Sequence, residues 1–194
     1  IDFLKKAIID NAKGVDAKND KSSQAPNEMN IQSMYSDIGL DADKLEIEIL
    51  PIDKLPMYNQ DIELNPPEIV VDLREKIKIS DGILFATPEY NHSIPAVLKN
   101  AIDWFSRVEP VMIGKPSMIV GATLGNLGTV RAQTHLRQIL NSGLVNTLNL
   151  PANEVFISSV GEKLNENGDL VHQPTIEHLD KVVKNFIDWV EKLK

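Results

Sequence analysis

Gly82-Ile83-Leu84-Phe85-Ala86 is an unbroken run of small and apolar residues, and the segment after it, Thr87 to Pro95, is built to end a strand. A run this short and this apolar reads as a strand buried on both faces. Ala96 to Phe105 then reads as a helix, with Val97, Leu98, Ala101, Ile102, Trp104 and Phe105 supplying the apolar stripe. A strand, a loop and a helix in that order place the loop beyond the carboxyl end of a strand, where open α/β sheets bind ligands. Pro88 and Pro95 restrict the loop backbone, Tyr90 offers an aromatic face and Asn91 both donors and acceptors. An ordinary surface turn has the same composition, so Pro88-Glu89-Tyr90-Asn91 alone leaves both readings open.

Other segments extend the alternation. Leu45 to Leu50 alternates as a strand near a sheet edge. Asn65-Pro66-Pro67-Glu68 reads as a helix start, with Asn65 as N-cap and Pro66 in the first turn, continuing to about Ile79. Ser117 to Gly121 reads as a strand, Thr129 to Ser142 as a helix stopped by Gly143, and Glu154 to Ile157 as a short strand. Pro174 opens a last helix, with Ile176, Leu179, Val182, Val183, Phe186, Ile187 and Val190 on one face. Strands alternating with helices imply a parallel sheet covered on both sides. Residues 1–13 read as a helix from the spacing of Phe3, Leu4, Ala7 and Ile8. Residues 15–44 read as a polar insertion within a single domain spanning 1–194, longer than compact connections usually are.

Bulk properties narrow the function classes. The chain has 194 residues, enough for one domain with an ample core. A net charge of −8 argues against nucleic acid as a partner. No apolar run approaches the ~20 residues of a membrane span, and no signal-peptide pattern opens the chain. Without a cysteine, disulfides, thiolate metal sites and cysteine nucleophiles are out of reach; this suits the cytoplasm, the expected compartment. His92, His135, His172 and His178 lack ligand-like spacing, so no metal site is expected. There is no nucleophile elbow and no Walker-type phosphate loop.

Three blocks carry a resemblance. Thr87-Pro88-Glu89-Tyr90-Asn91, with Ser93-Ile94-Pro95 and Leu98 to Trp104, is similar to the NADPH-dependent FMN reductase family. Gly121-Ala122-Thr123-Leu124-Gly125-Asn126-Leu127-Gly128-Thr129, followed by Arg131-Ala132-Gln133 and Leu136-Arg137-Gln138, agrees. Leu55-Pro56-Met57-Tyr58-Asn59-Gln60-Asp61 is a weaker third block. They occur in family order and cover roughly residues 45–190.

This resemblance implies an α/β flavodoxin-like three-layer sandwich whose parallel sheet has strand order 2-1-3-4-5. It implies FMN as cofactor, NADPH or NADH as electron donor, and a quinone, azo compound, metal oxyanion or flavin as the small-molecule acceptor. It also implies a homodimer or homotetramer. The family's ring-binding residues fall here on Pro88, Glu89, Tyr90 and Asn91, with the Glu89 and Asn91 amides bonding the ring's polar edge. Thr123 and Gly125 would approach the pyrimidine side, and Gly125 and Gly128 would permit tight turns. Glu89 is expected to be a solvated carboxylate that contributes its backbone. No catalytic acid or base is expected, because hydride transfer through a flavin needs none. Arg131 and Arg107 are open between binding a phosphate and a structural or solvated role. Trp104 and Trp189 are expected to be packing residues.

If residues 1–13 are a helix, the central first strand and its phosphate loop would precede Ile1. That expectation leaves no phosphate-binding residue to name. It also keeps a flavin-free scaffold of the same fold open as an alternative to the reductase, while the acidic charge fits a second alternative, a flavodoxin-type electron carrier.

Overall fold

A computed structural model describes residues 4–10 and 45–194. Six strands form one parallel sheet: β1 (Leu4–Asp10), β2 (Leu45–Leu50), β3 (Gly82–Ala86), β4 (Pro116–Ala122), β5 (Leu148–Asn149) and β6 (Val155–Ile157). Four helices accompany them: α1 (Glu68–Ile79), α2 (Ala96–Ser106), α3 (Val130–Leu140) and α4 (Gln173–Leu193). The order is β2-β1-β3-β4-β5, and β6 also pairs with β4.

The start of the chain corrects the sequence expectation. Residues 4–10 are a strand, not part of a helix, and they occupy the central place that seemed to precede Ile1. β1 pairs with β2 from Leu4↔Leu45 to Ile9↔Leu50 and with β3 from Lys6↔Gly82 to Asp10↔Ala86. Seven residues offer too few turns for periodicity to separate helix from strand. Pairing along both edges decides, because a gap there would strip hydrogen-bond partners from buried backbone. The 15–44 insertion lies outside the described residues, as do the residues directly following β1.

Smaller differences follow the same logic. α1 begins at Glu68 after Pro67, not at Asn65, whose amide instead closes the preceding turn onto Ile62. The expected short strand at Glu154 to Ile157 is β6, which pairs from Val120↔Val155, and an unexpected strand, β5, precedes it and pairs at Pro116↔Leu148. A two-residue strand has no periodicity to detect.

Two cores lie against the sheet. On one face Ile83, Phe85 and Ile119 pack with Leu73 and Ile77 of α1, Leu98 and Trp104 of α2, and Leu136 of α3. On the other, Leu84, Ala86, Met118 and Val120 pack with Leu179, Val182, Val183, Phe186 and Val190 of α4. Successive strand residues point to opposite faces, which is why β3 is buried throughout. The result is the three-layer arrangement of a flavodoxin-like fold, and it sets the loops after β3 and β4 at one end of the sheet. No helix among the described residues is long and apolar enough to cross a membrane.

Candidate active site

β1 lies between β2 and β3, so the chain winds outward in both directions from it. That is the topological switch point at which such sheets form a crevice beyond the strand ends. The loop after β3 and the turn after β4 stand at that end.

The first of these is tightly shaped. The Thr87 amide donates to the Val120 carbonyl at 3.0 Å, extending the β3–β4 register. Tyr90 and Ser93 exchange both backbone hydrogen bonds at 2.9 Å. Between them Asn91 and His92 have φ of 49° and 65°. Consecutive left-handed residues at the two central positions are the pattern of a type I′ turn. Asn and His are among the non-glycine residues found there most often, yet each still costs about 1–2 kcal/mol. Tyr90 is half exposed, and the Glu89 and Asn91 amides have no partner among the described residues.

Glu89 departs from expectation. Its side chain is only 14% exposed, so it is not a solvated loop carboxylate. Oε2 accepts from the Arg131 amide at 3.0 Å and the Ala132 amide at 3.2 Å, while Oε1 faces Arg131 Nη1 at 3.4 Å. The carboxylate therefore caps α3 across the sheet end. Partial burial pushes its carboxyl upward, but the two amides and the Arg131 guanidinium outweigh this and leave it lowered. Thr129, which precedes the helix, is no substitute. It has φ of 64° and makes no side-chain cap. Its hydroxyl instead accepts from Gln133 Nε2 at 3.0 Å. Ser93 and His135 Nδ1 share a second link at 2.7 Å, so the loop is fastened to α3 twice.

The turn after β4 is stitched to the chain beyond β6. Thr123 N donates to the Ile157 carbonyl at 2.9 Å and Val160 N to the Thr123 carbonyl at 3.0 Å. Ser159 N donates to the Gly125 carbonyl at 2.9 Å, and Gly125 N to Thr123 Oγ1 at 3.2 Å. Leu124 and Leu127 are about half exposed beside Gly125, an apolar rim. Glycine is required at two places here, though not at Gly125, where an added Cβ would meet nothing closer than 3.7 Å. Gly128 has φ of 57° and lies so near Phe156 that a Cβ would fall 2.6 Å from its backbone. At Gly121 the same atom would sit 2.7 Å from the Thr87 carbonyl oxygen. Gly121 thus lets β4 approach the root of the loop after β3.

The expected residues Pro88, Glu89, Tyr90, Asn91, Thr123 and Gly125 accordingly sit on two loops at one end of the sheet. Arg131 takes the structural alternative, with its acid partner in its own chain. Arg107 likewise pairs with Glu63 at 3.2 Å, while the same carboxylate accepts from the Tyr58 hydroxyl. These bonds, Tyr58's first, hold Glu63 below the usual carboxylate range. Trp104 is fully buried, 5.1 Å from Tyr58 in an edge-on contact. Trp189 packs partly buried on the α4 face and donates to the Leu148 carbonyl at 3.0 Å.

Sequence reasoning missed the role of Asn100. Its Oδ1 accepts from Tyr58 N at 2.7 Å and its Nδ2 donates to the Pro56 carbonyl at 3.0 Å. Trp104 Nε1 donates to the same carbonyl at 2.8 Å. Asn100 and Trp104, one helical turn apart, thus tie down the loop after β2. The only signal was an asparagine on an otherwise apolar helix face.

Comparison with known proteins agrees with this fold. Residues 34–162 match the family described as NADPH-dependent FMN reductase. An NAD(P)H-dependent FMN reductase of Pseudomonas aeruginosa is 42% identical over 167 residues, covering 85% of this chain and 89% of that protein. A quinone reductase of Escherichia coli is 36% identical over 155 residues, covering 77% and 81%. Among solved structures, the NAD(P)H:(acceptor) oxidoreductase FerB from Paracoccus denitrificans superposes with a TM-score of 0.76 at 29% identity, covering 97% of each chain. The chain belongs to the NADPH-dependent FMN reductase family and is an oxidoreductase that works through FMN and NAD(P)H.

Proposed function

We propose that this protein passes hydride from NAD(P)H through bound FMN to a small acceptor of the quinone, azo, metal-oxyanion or flavin class. One observation of this chain carries the reading: a shaped loop, two of whose amides have no partner among the described residues, stands at the switch point of the sheet, beside an apolar-rimmed turn. The donor set fits a flat ring with a polar edge. Backbone amides at Glu89 and Asn91 supply donors for ring oxygens or nitrogens, Pro88 and Tyr90 supply flat apolar surface, and Thr123 and Gly125 flank the other side.

When bound, FMN supplies the hydride and electron chemistry. The chain's own residues position and exclude. Pro88 limits the freedom of the loop, so less ordering is needed on binding. Donors at Glu89 and Asn91 favour negative charge at the polar edge. Leu124 and Leu127 leave an open, apolar approach, which suits planar acceptors and imposes little selection among them.

The relatives named above act on flavin or quinone, and this supports those acceptors first. The reading includes a homodimer or homotetramer, checked by light scattering, and a cytoplasmic location, checked by fractionation. The defining test is the visible spectrum of purified protein supplied with FMN. Absorption near ~450 nm that bleaches with NADPH and returns with a quinone supports a flavin reductase. Reduction without turnover until a partner protein is added would make the chain an electron carrier instead. No uptake of FMN would overturn the reading.

A further inference from the structure

We infer that Glu89 is a positioning residue: its carboxylate, clamped on the first amides of α3, holds the ring loop in its binding geometry. This rests on the reading above, that the loop takes the edge of FMN. The loop contains two consecutive left-handed non-glycine residues, Asn91 and His92. Such a conformation persists only where the surroundings over-determine it. The Tyr90–Ser93 pair closes the turn locally but does not fix its place on the protein. Glu89 and Ser93, on either side of the turn, supply that placement through Arg131, Ala132 and His135.

Three features separate this from an ordinary helix cap. The cap comes from a residue 42 positions earlier, although a threonine stands at the usual place. That threonine is engaged elsewhere by the buried Gln133, which also donates to the Val155 carbonyl at 2.7 Å. The Glu89 amide, one of the two proposed ring-edge donors, belongs to the residue whose carboxylate is pinned. Moving the side chain therefore moves the donor. The pinned charge is also answered by two amides and Arg131, leaving little of it directed at a flavin that becomes anionic on reduction.

The test compares Glu89→Ala, Glu89→Gln and a distant core variant, Val182→Ala on α4. Each apoprotein is melted, and FMN binding is titrated by quenching of flavin fluorescence well below the melting range. Glu89→Ala should weaken FMN binding by about tenfold or more, the scale of losing a charge-assisted hydrogen-bond pair. Glu89→Gln should recover to within about threefold of the parent, since its carbonyl oxygen still accepts from both amides. Val182→Ala should lower the melting temperature while leaving FMN affinity unchanged. An unchanged affinity in Glu89→Ala, with only its melting temperature lowered, would reduce Glu89 to a helix cap and overturn the inference. Glu89→Gln as weak as Glu89→Ala would also overturn it, by showing that charge rather than the clamp matters. Parent protein that takes up no FMN would remove the functional reading itself, a result distinct from either.

Discussion

Gly121 occupies the tightest spot at the ligand end of the sheet. A Cβ there would lie 1.9 Å from Thr129 Oγ1 as well as 2.7 Å from the Thr87 carbonyl. The hydroxyl can turn away, but the carbonyl belongs to the root of the loop after β3 and cannot move freely. Gly121→Ala should therefore destabilise by about 1–3 kcal/mol and weaken FMN binding, whereas Gly125→Ala should leave the stability of the apoprotein unchanged. Thermal melts and FMN titrations of both variants check this. Glu63 gives a pH prediction. Tyr58 and Arg107 hold its carboxyl below the unfolded value. Its contribution to stability is then present above the unfolded value of about 4.3 and lost as pH falls through the lower folded one. Glu63→Gln should flatten the acid arm of a melting-temperature profile and leave it unchanged at higher acidity, where both proteins carry a neutral group. An identical acid arm would show that the ion pair contributes nothing.

Among the elements, α2 does two jobs with one sequence. Leu98, Ala101, Ile102 and Phe105 pack against the sheet, and Asn100 with Trp104 holds the Pro56–Tyr58 loop. Asn100 is 95% buried and satisfies two backbone groups of that loop. Asn100→Ala should cost about 1–3 kcal/mol, because the Tyr58 amide loses its partner and the Pro56 carbonyl keeps only Trp104 Nε1. It should also raise hydrogen exchange selectively at Tyr58, and uniform exchange across the chain would contradict the assigned role. Much of α2 was legible beforehand, since its apolar spacing is strong. Its tether was not, because hydrogen bonds to residues more than forty positions away leave no local pattern.

For the fold taken together, the sheet joins two cores that share β3. Phe85 lies on one face and Phe186 closes the other, both almost fully buried. Phe85→Ala and Phe186→Ala should each cost about 3–5 kcal/mol. If the described residues form one cooperative domain, each variant melts in a single transition at a lower temperature. A second transition in either would instead show that the two layers unfold separately.

Hydrophobic patterning was enough to place β3, β4 and the four helices of the described residues to within a few residues, because each is long or apolar enough to show its period. The shape of the loop after β3 was legible too, since Pro, Tyr and Asn after a buried strand mark a shaped end. Sequence reasoning failed where neighbours decide. Residues 4–10 share spacing with a helix, and it is pairing with β2 and β3 that makes them the central strand. Glu89 looked like a solvated acid, and it is the folding together of two loops that places its carboxylate on α3. Local preference is written along the chain, but a hydrogen-bond partner brought from a distant segment exists only after the layers have packed.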